Sequence, residues 1–548
     1  MNRFLVRIII AGMLVIGWSG SAAADWKFDI GYTALQEELG SDLPTGAGVK
    51  VTQLEAASGK PDPGNAEFAG KTFTLKSSSL IISDHATTVG QYFYGNSTSL
   101  APGITSVDCY DATNWRSSFL GSGTSVPLVS SSRVANHSYL GTSTSATTVI
   151  PYLARLDWVV ARDEYIQVVA MNNGGTNYPI MGSSFNAIAV GLSNGGAAQG
   201  SYPLATTPTT PYALAGTRPD LVAPASATSY ATPMVASAAA LLVAEGHQGG
   251  KTLSTDPLVK FTTNRNGDTI YNAERSEVVK AALMAGADRT SPNLTNSVTP
   301  NGYTINTANG LNNIYGAGQL NIYNSYHIIA AGEQNSREDF SSGGGAISAL
   351  GFDYDPYFGG LSGSNKTGSY IFTASTDGTL SASLVWNLNV TGPTTSVTSS
   401  ESSKGGKGGK GGKPPKLTTI TTTSFNTTAT LYNLGLYLYD MTSSSELAYA
   451  ASLVDNTENI WYTSLLAGHD YLLEVVSLGT DFLWDYGLSW NITAGTGTDT
   501  STLLPSTVYL LGSGAGTGTD ISTPLPPTVY LLGSGLMAIL VFRRKRKG

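Results

Sequence analysis

Ser229 stands in a run that reads Arg218-Pro219-Asp220-Leu221-Val222-Ala223-Pro224, then Ala227-Thr228-Ser229-Tyr230-Ala231-Thr232-Pro233-Met234-Val235-Ala236. The pattern predicts an extended strand, a tight turn of small residues and an apolar helix, Pro233 to Glu245. The proline then falls near the first turn, where a missing N–H costs nothing. A serine at the N-terminal edge of such a helix faces free N–H groups and the positive end of the helix dipole. Both favour a developing negative charge. Ser229 is therefore a candidate nucleophile. The same position also suits Thr228 or Ser229 as a plain N-cap, and this segment alone does not choose between the two.

The segment resembles the nucleophile motif of the subtilase family of serine peptidases, in which Gly-Thr-Ser-Met-Ala-Thr-Pro-His-Val-Ala-Gly is typical. That family carries its triad in the chain order acid, histidine, serine. Upstream, Asp84-His85-Ala86-Thr87-Thr88-Val89-Gly90 matches the histidine motif, with His85 in the catalytic position. Gly48-Val49-Lys50-Val51-Thr52-Gln53-Leu54-Glu55 matches the strand that ends in the catalytic acid. Val168-Val169-Ala170-Met171-Asn172-Asn173-Gly174 resembles the segment carrying the oxyanion-hole asparagine, which makes Asn173 the donor. Arg133 to Gly141 sits, on a loose match, where the family places an edge strand for substrate. Tyr315 to Asn321 resembles the Gly-rich turn that closes the catalytic domain. The resemblance covers residues 40–333.

It implies a serine endopeptidase acting on protein or peptide substrates. Ser229 attacks a peptide carbonyl and His85 moves the proton. Glu55 orients the imidazole, while Asn173 and the Ser229 N–H hold the oxyanion. The departures from the motif are specific. Glu55 replaces the usual Asp, so the strand or the histidine must shift by about 1 Å to keep the hydrogen bond. Ala86 replaces a glycine, Thr88 a second histidine and Met234 the histidine after proline. Ala225 and Ala227 stand where glycines are usual. Sedolisins also use Glu, but the intact His85 motif makes them the weaker match.

Such groups need a scaffold. Residues 25–333 mix short apolar runs with helical stretches, which predicts an α/β sheet domain, on the resemblance a subtilisin-like one. Val49–Leu54, Ile166–Ala170 and Ala187–Leu192 read as buried parallel strands. The helix over Ser276–Ala285 carries Val278, Val279, Ala282 and Leu283 on one face. From residue 345 the period becomes two: Leu380, Ala382, Leu384, Trp386, Leu388 and Val390 alternate with polar residues, as do Leu434, Leu436 and Leu438, and Tyr486, Leu488, Trp490 and Ile492. Residues 345–494 therefore read as an antiparallel β-sandwich of half-buried strands. Within it, 402–416 is a Lys/Gly-rich stretch that cannot bury anything and is expected to be a disordered loop.

The two ends read as addresses. Residues 1–24 have the basic start, short apolar run and small-residue end of a signal peptide. Residues 524–548 run from Pro524-Leu525-Pro526-Pro527 through an apolar helix to Arg543-Arg544-Lys545-Arg546-Lys547. This closely resembles a PEP-CTERM sorting tail, a transient transmembrane anchor, which implies an exosortase-type processing enzyme. Residues 495–523 form a Gly/Thr-rich linker in which Pro505–Gly514 partly copies the tail. The short stretch from Asp25 to Gly48 leaves no room for the long inhibitory pro-segment many subtilases carry. Export to the cell envelope or beyond is the expectation.

Composition agrees. Only 12% of the 548 residues are charged, and the net charge of −8 argues against a nucleic-acid partner. One cysteine, Cys109, rules out an internal disulfide. His137, His247, His327 and His469 suit packing or surface roles. No His/Cys spacing suggests zinc, and no metal or cofactor is assigned. Asp353, Asp355 and Asp377 lie near expected β-turns, with turn formation the commoner reading and structural calcium the other. The competing function is a catalytically inactive surface or matrix protein on the same scaffold, its sandwich binding extracellular polysaccharide or proteins.

Overall fold

The computed structural model describes residues 25–141, 143–175, 180–204, 210–295, 302–338, 344–359, 365–401, 417–479 and 483–495. The expected signal peptide, Lys/Gly loop, linker and sorting tail lie outside these residues, apart from Gly495 of the linker. Among the described residues no helix is long and apolar enough to cross a membrane.

Short runs of Val, Ile, Leu and Ala build one parallel sheet from β1 (Val51–Glu55), β2 (Thr72–Leu75), β3 (Ser106–Asp111), β4 (Val134–His137), β5 (Ile166–Ala170), β6 (Ile188–Leu192) and β7 (Leu221–Ala223). Their order is β2-β3-β1-β4-β5-β6-β7. Every residue of β1, β5 and β6 is buried, as a parallel sheet covered on both faces requires. After β1 the chain runs outward to β2 and β3, then crosses back to β4. This puts a switch of direction beside β1, and crevices open at the carboxyl ends of strands at such points. β4 lies between β1 and β5, so it is an interior strand and not the edge strand expected for Arg133–Gly141.

Helices α1 (Asp84–Tyr94), α2 (Ala146–Asp163), α3 (Thr228–Gln248), α4 (Ser276–Ala285) and α5 (Ile322–Ala330) surround the sheet. The central helix α3 is apolar on all sides and accordingly buried. It begins at Thr228, five residues before the start expected from Pro233. Pro233 is inside the helix, so its absent N–H leaves the Ser229 carbonyl without its usual partner. The Ser138 hydroxyl, just past β4, fills that gap by donating to the Ser229 carbonyl at 2.9 Å. The turn Tyr315–Asn321 closes on β7: Val222 N–H donates to Gly318 O at 3.0 Å and Leu320 N–H to Val222 O at 2.7 Å. At Gly316, with φ of 57°, an added Cβ would meet Asp220 O at 2.3 Å, so only glycine fits.

The second half is antiparallel. β8 (Arg337–Glu338), β9 (Leu350–Phe358), β10 (Thr367–Thr373), β11 (Gly378–Val385), β12 (Asn389–Glu401), β13 (Leu417–Thr430), β14 (Leu434–Asp440), β15 (Ser445–Ala450), β16 (Thr457–Leu465), β17 (Asp470–Ser477) and β18 (Trp484–Ala494) follow in order. A five-stranded sheet, β8-β10-β17-β14-β15, faces a four-stranded one, β9-β18-β11-β16. Tyr370, Leu436 and Leu473 from the first meet Leu384, Trp386, Leu488 and Trp490 around the second in one core. The fold is thus an α/β parallel-sheet domain followed by an antiparallel β-sandwich.

The inner strand β11 of the four-stranded sheet is not half-buried, as expected, but covered on both faces. Ser381 and Ser383 alternate with the apolar set, yet both are buried. The Ser381 hydroxyl donates to Ala285 O at 2.6 Å and accepts from Arg289 at 2.7 Å. The polar face packs against α4, whose ten residues are all buried, including Glu277 and Lys280. The described residues therefore hold together as one body. The β12–β13 pair reaches back to α2, where Phe425 meets Trp158 edge-on at 5.2 Å and Arg155 lies 4.4 Å from the Phe425 ring centre.

Asp353 and Asp355 lie inside β9 and are buried, not at turns. Asp353 accepts from the Tyr370 hydroxyl at 2.7 Å and Ser336 N–H at 3.0 Å, and Asp355 from Tyr357 N–H at 2.9 Å. Asp377 accepts from Ala467 N–H at 2.8 Å.

Candidate active site

Glu55 is the last residue of β1, where the strand meets the crevice. It is 3% exposed. Its Oε2 lies 2.8 Å from His85 Nδ1, and its Oε1 accepts from Gln53 Nε2 at 2.8 Å. His85 is the second residue of α1, whose N-cap Ser83 accepts from Ala86 N–H at 3.3 Å. That cap fixes where the helix begins and hence where the imidazole emerges. The His85 side chain is 41% exposed, so Glu55 is sealed while its partner faces the crevice.

Burial pushes the Glu55 carboxyl up, against the pull of His85 and Gln53. The hydrogen bond to Glu55 raises the His85 imidazole above its ordinary value, against its partial burial. A carboxylate bonded to Nδ1 leaves Nε2 as the nitrogen facing the crevice, the tautomer a general base needs.

Ser229 is the second residue of α3, in its first turn. The His85 ring stands 6.0 Å from the ring of Tyr230, the next residue, and Tyr230 in turn lies 5.9 Å from Tyr92 on α1. The imidazole therefore lies beside the turn that carries Ser229. No hydrogen bond joins His85 to Ser229.

Asn173 follows β5, and its Oδ1 accepts from Thr228 N–H at 2.8 Å and the Thr228 hydroxyl at 3.1 Å. These bonds fix the amide and turn Nδ2 away from them. Among the described residues, neither Asn173 Nδ2 nor the Ser229 N–H donates to another group. Two free donors flank one serine at a helix N-terminus, an arrangement suited to an anionic oxygen. The plain N-cap alternative loses ground: Ala227 is the N-cap and makes no side-chain cap bond.

The other expected histidines have structural partners. His137 is fully buried between Gln167 (2.8 Å) and Tyr139 (3.2 Å), and burial pushes its imidazole down to about 4. His247, in the last turn of α3, pairs with Glu274 at 2.9 Å and His469 with Asp440 at 2.8 Å. His327 lies 3.3 Å from Glu38. Cys109 is a buried thiol pushed up to about 12, unsuited to nucleophilic chemistry. No cluster of His, Cys, Asp or Glu among the described residues has the make-up of a metal site.

A pocket of about 640 Å³ lies at the opposite, amino-terminal end of the strands, lined by Gly48, Lys50, Arg133, His247 and Glu274, where β1 and β4 begin. It is remote from the Glu55 end of β1. Sequence reasoning missed Gln53, Ser138 and Tyr94 around the site. Gln53 was findable, since it stands two residues before Glu55 on the same face of one strand.

No protein-family model and no curated protein matches the chain. Solved structures similar to it include a PatG macrocyclase in complex with peptide (12% identity, 53% of this chain and 94% of that one, TM-score 0.32). A lanthipeptide protease matches at 15% identity over 56% of this chain and 97% of its own, with a TM-score of 0.32. Tripeptidyl peptidase 2 matches at 10% identity over 75% of this chain and 40% of its own, with a TM-score of 0.29. At these values the likeness carries no weight for chemistry.

Proposed function

We propose that the chain is a serine endopeptidase of the subtilisin type, with Glu55, His85 and Ser229 as its triad and Asn173 in its oxyanion hole. The observation that carries the reading is the 2.8 Å contact between Glu55 and His85 Nδ1, at the carboxyl end of a parallel strand and beside the helix turn that bears Ser229.

The chemistry follows from the positions. His85 Nε2 takes the Ser229 proton as Oγ attacks a peptide carbonyl, forming a C–O bond and moving the carbonyl electrons onto oxygen. Asn173 Nδ2 and the Ser229 N–H receive that oxyanion. The imidazolium, stabilised by Glu55, then gives its proton to the leaving amine as the C–N bond breaks. Water repeats the sequence to release the acyl group.

A second reading, a scaffold without turnover, draws on the missing His85–Ser229 hydrogen bond. Such bonds are often long before substrate binds, so the gap does not decide the matter. A fluorophosphonate probe does. The full chain is expected to be labelled at Ser229, and Ser229→Ala to stay unlabelled. A folded wild-type chain that takes no label leaves the scaffold reading standing. In keeping with its ends, the chain is exported and its tail processed by an exosortase-type enzyme, with extracellular polysaccharide as a further partner of the sandwich.

A further inference from the structure

Glu55 and His85 come from different elements, and one buried side chain ties those elements together. Gln53 is 1% exposed on β1. Its Nε2 has two hydrogens, and both are used: one bond goes to Glu55 Oε1 at 2.8 Å, the other to the Ala86 carbonyl on α1 at 2.8 Å. Its Oε1 accepts from the hydroxyl of Tyr94, also on α1 and fully buried. Gly90 makes room for that ring, since an added Cβ there would come within 2.6 Å of the Tyr94 hydroxyl. Gln53 is thus held by α1 at two points while it holds the carboxylate that orients a third residue of α1.

We infer that Gln53, locked by Tyr94, is a positioning residue that fixes the rotamer of Glu55 and so keeps the imidazole of His85 in register. The need is local. A glutamate has one more rotatable bond than an aspartate, and an unheld carboxylate would sample geometries that fail to orient the ring. One oxygen on Gln53 and the other on His85 remove that freedom. The inference rests on the proposed triad for its catalytic meaning, but the geometry stands apart from it.

The bond also sets a sign. An N–H donated to a carboxylate favours its charged form, so loss of the bond lets Glu55 protonate at higher pH. It also concentrates charge on the oxygen facing His85, which holds the imidazolium more strongly. Both effects move the acid limb of activity upward. The titratable or charged groups around the pair are Tyr94 on α1, Tyr230 on α3, Cys109 and Asp111 on the neighbouring β3, and Lys60 after β1. Tyr94 and Cys109 are both pushed up by burial and stay neutral across that limb.

The test uses the full chain with Gln53→Leu and Tyr94→Phe. Gln53→Leu is expected to lower kcat by about 10- to 100-fold at unchanged KM. It should also raise the acid limb by about one pH unit, as for one lost hydrogen bond to a charged group. Tyr94→Phe, the milder change, moves both in the same direction by less and decides the matter if Gln53→Leu does not fold. The five histidines make selective isotope labelling practical, and the NMR titration of His85 should follow the acid limb. If activity falls only with the folded fraction, and neither the pH profile nor the His85 titration moves, Gln53 is a structural residue and the inference is overturned. If the wild type neither hydrolyses peptides nor takes a probe, yet His85 still shifts in both variants, the peptidase reading fails and the Gln53 clamp stands.

Discussion

One buried carboxylate at the crevice and a group of three at the seam do opposite things with their charge. At the crevice, Glu55 has one titratable partner, His85, and that partner is 41% exposed. At the seam between the two halves, Glu164, Glu277 and Asp485 share one guanidinium, Arg275; Glu164, Glu277 and Arg275 are buried and Asp485 half-buried. Arg275 bonds Glu164 at 2.8 Å and lies 4.3 Å from the Tyr354 ring centre, while the Tyr354 hydroxyl donates to Asp485 at 2.6 Å. Asn387 from the sandwich donates to Glu277. Burial and like charge push Glu277 and Asp485 up, because three acids crowd one cation. The crevice pair has its imidazole open to the crevice. The seam is mostly buried, and its groups fix how the halves join.

The sharpest break in that comparison is Glu55→Gln. It should lower turnover by about 10⁴-fold, the scale on which loss of the triad carboxylate acts, while the melting temperature barely moves. Full activity would remove Glu55 from the triad. Arg275→Leu should give the reverse pattern. Unfolding in denaturant should show a loss of about 3–5 kcal/mol, because three acids lose their only cation, while probe labelling per folded molecule stays the same. A fall in specific labelling would mean that the seam reaches the crevice. Asn173→Ala should lower kcat by about 100- to 1,000-fold with little change in KM, as for one oxyanion donor. An unchanged kcat would place the oxyanion elsewhere.

The smallest effect concerns Glu333, which accepts from Asn272 at 2.8 Å and from Asp256 N–H at 2.7 Å. Burial pushes its carboxyl up to about 7, from 4.5. Its folded value lies above its unfolded value, so its contribution is whole below about pH 4.5 and is lost as pH rises through about 7. Melting scans between those limits should show the wild type losing a few degrees that Glu333→Gln keeps. Equal slopes would mean that Glu333 is already charged in the folded chain.

The crevice was far more legible in the sequence than the seam. Ser229, His85, Glu55 and Asn173 each sit in a short local pattern, and a pattern of adjacent residues survives without knowledge of the fold. Strand Ile166–Ala170 and helix Ser276–Ala285 were legible for the same reason, being short apolar runs with clear ends. The start of α3 was not, because Pro233 imitates a first-turn proline and the compensating Ser138 lies far away in the chain. The seam was hidden for a different reason. Ser381, Ser383 and Asn387 alternate with apolar residues just as a water-facing row would. Only the arrival of α4, about a hundred residues earlier in the chain, turns that row inward. Period-two patterning reports which side chains share a face, not what covers it.

Because α4 packs against α3 and α5 on one side and the four-stranded sheet on the other, the divide that composition suggests between residues 333 and 345 is no boundary between separable domains. A chain cut there would strip the cover from Glu277, Lys280 and the apolar residues beside them. A recombinant piece ending at residue 333 should aggregate rather than fold.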